Sequence, residues 1–155
     1  MGMGDGSGLD PDAILDSVNV LANQLGQGFR EVRYKNTRHG QFEQRQSRPR
    51  IARVTVAPGI HQPAGYFDIQ WWKNGDYKYH YREQGLEFRI GREAANSGTN
   101  TPIRHFHPPN DLTTHEPSCI ETGPPERVTL AVLATWWAAV KAGDEGVLNT
   151  QNRLP

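Results

Sequence analysis

Tyr77-Lys78-Tyr79-His80-Tyr81-Arg82 alternates without interruption. On a strand it places three tyrosines on one face and Lys78, His80 and Arg82 on the other, neighbours on a face lying about 7 Å apart. A histidine exchanges protons near neutral pH, while Arg and Lys hold a phosphate and stabilise charge developing on it. Cutting RNA needs only such groups, because its 2′-hydroxyl supplies the nucleophile. A two-residue loop at Asn74-Gly75 sets Ile69 and Trp71 beside these cations, and Trp71 then offers a flat surface for a stacked base. The plain alternative is a solvated outer face on which Glu87 and Arg82 form a surface ion pair.

A second group is His105-Phe106-His107 with His115 and Cys119 downstream. Two histidines at i and i+2 of an extended segment point the same way, and two more N/S donors would complete a tetrahedral zinc site. The spacing matches no zinc signature, since HExxH and CxxC are both absent, and loop histidines unconnected with metal are the competing reading. Other chemistries find no support. Ser118-Cys119 lacks the glycine elbow of hydrolases, and Gly123-Pro124-Pro125 lacks the N–H groups of a phosphate loop. Asp68, Asp76 and Glu83 are scattered around the hairpins, which disfavours a two-metal nuclease. Neither a metal nor a cofactor is expected.

The elements that must position these residues can be read from the pattern. Asp10-Pro11 caps a helix over 11–25, with Ile14, Val18, Leu21 and Leu25 on one stripe and Gly26 or Gly28 at its end. Phe29–Tyr34 and Ile51–Val56 read as strands joined by the long polar segment 35–50. Turns at Asn74-Gly75 and Gln84-Gly85 make a central meander. In the expected registers Trp72 faces Tyr77 and Ile69 faces His80, while Tyr81 faces Phe88, His80 faces Arg89 and Arg82 faces Glu87. Trp72 and one of Trp136/Trp137 are expected in the core. Residues 92–126 read as irregular, and Pro124-Pro125 starts a nearly all-apolar helix that ends at Gly143 and lies across the tyrosine face. The expected fold is α+β: an antiparallel sheet of about five strands packed by an N-terminal and a C-terminal helix. Residues 1–9 are expected to be a disordered tail, 10–145 a single domain and 146–155 a frayed tail.

With 155 residues, the chain can bury a core without staples. Its 17 basic and 17 acidic residues cancel, so any attraction to a polyanion must be local. Between Arg30 and Arg53 seven Arg and one Lys face two acids. Arg45, Arg48 and Arg50 of that segment, with Lys78 and Trp71, are the candidate nucleic-acid contacts; a solvated basic loop is the alternative. One cysteine permits no internal disulfide and fits a reducing compartment. Met1–Pro11 has neither the basic start nor the apolar run of a signal peptide, and no apolar stretch spans a bilayer. A cytoplasmic location and no membrane partner are the expectation.

Tyr77–Arg82, then Gly85-Leu86-Glu87-Phe88-Arg89, Asn96 and His105-Phe106-His107-Pro108, resemble the TumE-like toxin family of prokaryotic toxin–antitoxin systems over roughly residues 65–140. The resemblance implies a growth-inhibiting protein that acts on RNA and is neutralised by an antitoxin partner; taken with the cationic face, the leading expectation is a metal-independent ribonuclease. It departs where the family commonly carries an Asp-Asn pair: here Arg92-Glu93-Ala94-Ala95-Asn96 follows the arginine strand. Carried onto this sequence, the catalytic positions are His80 as acid or base, Arg82 and Arg89 as phosphate clamps, and His105 and His107 as the second proton-transfer group or an RNA contact. A non-enzymatic module for nucleic acid or protein and a zinc-dependent or zinc-stabilised domain are the alternatives. The oligomeric state is not legible.

Overall fold

The computed structural model describes residues 2–151. Helix α1 (Pro11–Leu25) begins where Asp10 accepts a hydrogen bond from the Ala13 amide, and it ends at Gly26 with φ 54°. Then come β1 (Phe29–Lys35), β2 (Phe42–Glu43), β3 (Ile51–Val56), β4 (Gly65–Trp71), β5 (Tyr77–Glu83), β6 (Leu86–Arg92), β7 (Arg104–His107), β8 (Glu116–Pro117) and helix α2 (Pro125–Ala142). Gly143, left-handed, closes α2. The architecture is α+β, as expected. The sheet, however, has eight antiparallel strands rather than five, in the order β2-β1-β3-β4-β5-β6-β7-β8. The additional strands are those that turn chemistry hides. β2 and β8 have two residues each, and β7 has four, lying between Pro102 and Pro108.

Both helices lie on the tyrosine face. Tyr77, Tyr79 and Tyr81 are fully buried among Phe67, Ile69, Phe88, Ile90 and Trp136. The Tyr79 hydroxyl meets Ser17 of α1 at 3.1 Å and Thr129 of α2 at 2.6 Å, and it accepts the indole N–H of Trp71 at 3.0 Å. One phenol thereby satisfies polar groups from both helices and the sheet, the condition for burying them at all.

The second hairpin has the expected register: Tyr81 faces Phe88, His80 faces Arg89 and Arg82 faces Glu87. The first is one residue off expectation. Trp71 faces Tyr77, Ile69 faces Tyr79 and Asp68 faces His80. The loop holds three residues, Lys73-Asn74-Gly75, because the Gly75 amide closes a turn onto the Trp72 carbonyl and Gly75 takes φ 92°. That is the turn-plus-bulge alternative to a two-residue loop. The shift exchanges the tryptophans. Trp71, 2 % exposed, is the core residue and Trp72 is only half-buried; Trp136 is buried while Trp137 is 40 % exposed.

The segment read as a disordered tail lies along this hairpin. Gly4 donates to Asp76, Lys73 donates to the Gly8 carbonyl and Leu9 bridges Trp72. At the other end Leu148 is buried and Gln151 accepts from Thr135; residues 152–155 of the expected frayed tail lie outside the described residues. No helix among the described residues is long and apolar enough to cross a membrane.

Candidate functional site

The face of the sheet opposite the helices is ordered in rows by the strand register. One row runs Arg53, Asp68, His80, Arg89, His107 across β3 to β7. On one side of it lies Gln70, Lys78, Gly91, His105, and on the other Thr55, Tyr66, Arg82, Glu87. His80, Arg82, Arg89, His105, His107 and Lys78 therefore share one surface, and β6 brings the downstream histidines to it. Trp71 does not join them: the one-residue shift sends it to the core. Arg45 and Arg48 are exposed beyond the β1 edge, and Arg50 donates its amide to Lys35 there, four strand positions from β6. Neither they nor Arg50 adjoin His80.

His80, 6 % exposed, lies with its Nε2 2.8 Å from Glu87 Oε1. Arg82 Nε is 3.3 Å from the same nitrogen and 3.5 Å from the same carboxylate oxygen. Nε2 cannot both donate to Glu87 and accept from Arg82. The short contact to a carboxylate, which can only accept, assigns the proton to Nε2 and turns Arg82 towards Glu87. The lone pair of the neutral ring then sits on Nδ1. Burial lowers the His80 pKa, and Arg89 and Arg82 push the same way against the Glu87 bond. The bond from His80 in turn holds the Glu87 carboxyl below its ordinary value.

Arg89 is half-buried, its Nε has no hydrogen-bond partner, and it forms no ion pair among the described residues. Beside it a cavity of about 270 Å³ is lined by Lys78, Arg89, Glu93, His105, His107 and His115, among others. The three imidazoles crowd there, with ring centroids 4.3 to 5.6 Å apart. His105 Nδ1 donates to the Ile103 carbonyl. Gly91 makes room for that ring, since a Cβ there would lie 2.9 Å from His105 Nε2. His107, 4 % exposed, has a buried Nδ1 without a partner. Burial brings its pKa down to about 4, and His105, His115 and Arg89 contribute in the same direction. Burial also lowers the His105 pKa, and it lowers those of Lys78 and Arg89. A half-buried cation and two neutral imidazoles, with Arg89 Nε and His107 Nδ1 unsatisfied, form a place that an anion would stabilise.

The four-donor zinc site is not assembled. Cys119 packs against the hydrophobic core, its thiol pKa pushed up by burial, while the histidines occupy the opposite face. Among the described residues no three His, Cys, Asp or Glu side chains stand in a metal-holding arrangement. The acids are committed elsewhere. Asp68 takes Arg53 in two hydrogen bonds, at 2.8 and 2.9 Å. Asp76, fully buried, accepts from Arg92, Gly4 and Ala94. Glu83 accepts from Tyr81 and the amides of Ile60, His61 and Gln62. Sequence reasoning missed Glu87 as the partner of His80 although the second hairpin placed it diagonally across, two residues from Arg89 on the same face. It missed Asp68 and Tyr66 because the first hairpin was counted with too short a loop.

A family model described as Toxin TumE matches residues 30–141, more than two thirds of the chain. No curated protein and no solved structure matches it.

Proposed function

The chain belongs to the TumE toxin family, and on that premise we propose that it is the toxin of a toxin–antitoxin pair, arresting growth by cutting RNA without a metal. The observation that carries this reading is the alignment of His80, Arg89 and His107 abreast on three neighbouring strands. Two inter-strand steps set the Cα atoms of His80 and His107 about 10 Å apart, so parallel side chains would hold their rings at a similar spacing. That is the span required for base, entering oxygen, phosphorus, leaving oxygen and acid in a line when each end makes a hydrogen bond of roughly 2.8 Å.

In this arrangement His80, held by Glu87, takes the 2′-hydroxyl proton on Nδ1, and the carboxylate stabilises the imidazolium that forms. The 2′-oxygen attacks the adjacent phosphorus while the bond to the 5′-oxygen breaks. Arg89 beneath and Arg82 beside hold the non-bridging oxygens, and the guanidinium unsatisfied in the free protein gains its acceptor there. His107 gives a proton to the leaving oxygen. The phosphate replaces lost water with negative charge next to that ring, which favours its protonated form. His105 donates to backbone and backs the His107 ring. The products are a 2′,3′-cyclic phosphate and a 5′-hydroxyl.

The test is expression without the antitoxin. His80→Ala and Arg89→Ala each abolish growth arrest and RNA cleavage while circular dichroism stays native. Full toxicity of both variants would refute the site. Cleavage persists in EDTA; complete loss of activity with chelator would overturn the metal-free mechanism.

A further inference from the structure

The side of the catalytic row away from the histidine cavity opens into a cleft of about 740 Å³. That volume falls within the ~300–1,000 Å³ range of ligand clefts. It is lined by Tyr66, Arg82, Gly85, Leu86, Glu87 and Asn110, among others. Its Arg82 and Glu87 both contact His80 of the neighbouring catalytic row, so a nucleotide whose phosphate lies over Arg89 can reach it directly.

Tyr66 enters this cleft as the end of a column. The Arg53 guanidinium lies 4.1 Å from the Phe42 ring centroid and 4.4 Å from that of Tyr66. Its two hydrogen bonds to Asp68 fix its plane. Phe42, Arg53 and Tyr66 thus stack in three layers drawn from β2, β3 and β4. Tyr66 is the direct cross-strand partner of Arg82, and its proximity helps to raise the Arg82 pKa. A ring held by a cation on one side and flanked by Arg82 across the strand has little rotational freedom left to lose when a second flat group stacks on it.

We propose that this cleft is the nucleobase subsite for single-stranded RNA, with an unpaired base stacked on Tyr66 as the fourth layer of the Phe42–Arg53–Tyr66 column. The inference rests on the ribonuclease reading for the identity of the polymer, and it deepens that reading by naming the substrate as unpaired. A base within a duplex cannot present its face to a ring standing on a sheet, whereas a splayed base can. Every base has a flat face, so stacking would tolerate any of them.

The probe is a short fluorescent oligonucleotide made uncleavable by 2′-deoxy substitution, used single-stranded, in duplex, and with one abasic position moved along it. Binding to the full chain is read by fluorescence polarisation. The wild-type protein prefers the single strand, and one abasic position weakens binding. Tyr66→Ala weakens it by roughly 5- to 150-fold, the equivalent of the ~1–3 kcal/mol of one stacked base. Tyr66→Phe, which retains the ring, binds close to wild type and controls for folding. Equal binding by Tyr66→Ala, indifference to the abasic position, equal affinity for duplex, or no binding at all each overturns the subsite. The ribonuclease reading fails separately, when an all-ribose strand stays intact although the binding pattern holds.

Discussion

Glu87→Gln tests the proton-transfer assignment most directly. The amide keeps the shape and can still accept from His80 Nε2, so the ring stays oriented; only the charge disappears. A hydrogen bond to a charged group contributes ~1.5–3 kcal/mol and a neutral one ~0.5–1.5 kcal/mol. The difference is discounted because the Glu87 side chain is 38 % exposed and partly screened by solvent. About 1 kcal/mol remains, which at 1.36 kcal/mol per tenfold lowers kcat/KM by about fivefold. The same loss moves the His80 pKa further down, since the Glu87 bond is what raises it against burial. Cleavage of a labelled RNA oligonucleotide across pH gives the first quantity. NMR titration of the His80 ring protons gives the second, with or without turnover. Unchanged kcat/KM together with an unchanged His80 titration would refute the pairing as the source of basicity at this site.

Two further outcomes follow from the burial of the polar face. His80, His105 and His107 all hold native pKa values below the ordinary 6.5, His107 at about 4. The unfolded chain therefore binds more protons than the native one below about pH 6.5, and stability falls as pH drops from there towards 4. Urea melts near pH 7 and near pH 5 measure this, and His107→Gln should flatten the slope; a pH-independent midpoint in the wild type would contradict it. Asp76→Ala leaves Arg92 and the amides of Gly4 and Ala94 without their acceptor, a loss of ~3–5 kcal/mol for a broken buried ion pair. The denaturation midpoint falls accordingly, and a change below about 1 kcal/mol would mean that the hub is dispensable.

Helices and meander were legible because their signals are local. Asp10-Pro11 and Gly26 delimit α1, and Gln84-Gly85 fixes the β5–β6 register that pairs His80 with Arg89. The first hairpin was misread by one residue because Asn-Gly serves both two- and three-residue loops. The choice depends on whether Trp71 or Trp72 fits under the helices, which is a tertiary question. Strand β7 was invisible for a related reason. Four residues between prolines carry too little pattern, and only the long-range pairing of Phe106 with Ile90 makes them a strand. Residue type thus marks the histidine pair, while its position beside Arg89 depends on the β6–β7 pairing.

The brevity of β2 and β8 bears on how such a toxin could be silenced. Each sheet margin ends in two residues, one of them at Pro117, which has no amide to offer, and β1 carries a bulge between Phe29 and Glu31 with Arg30, Glu31 and Arg33 along it. Short, charged, kinked margins give an incoming strand little to pair with. An inhibitor that worked by lengthening the sheet would have only the bulged, charged run 29–33 of β1, which β2 leaves uncovered, to pair with. The broad faces, the helices around Trp137 and the basic surface over Arg89, offer more area to an inhibitor, and on the mechanism proposed above only the second would exclude substrate by occupying its place.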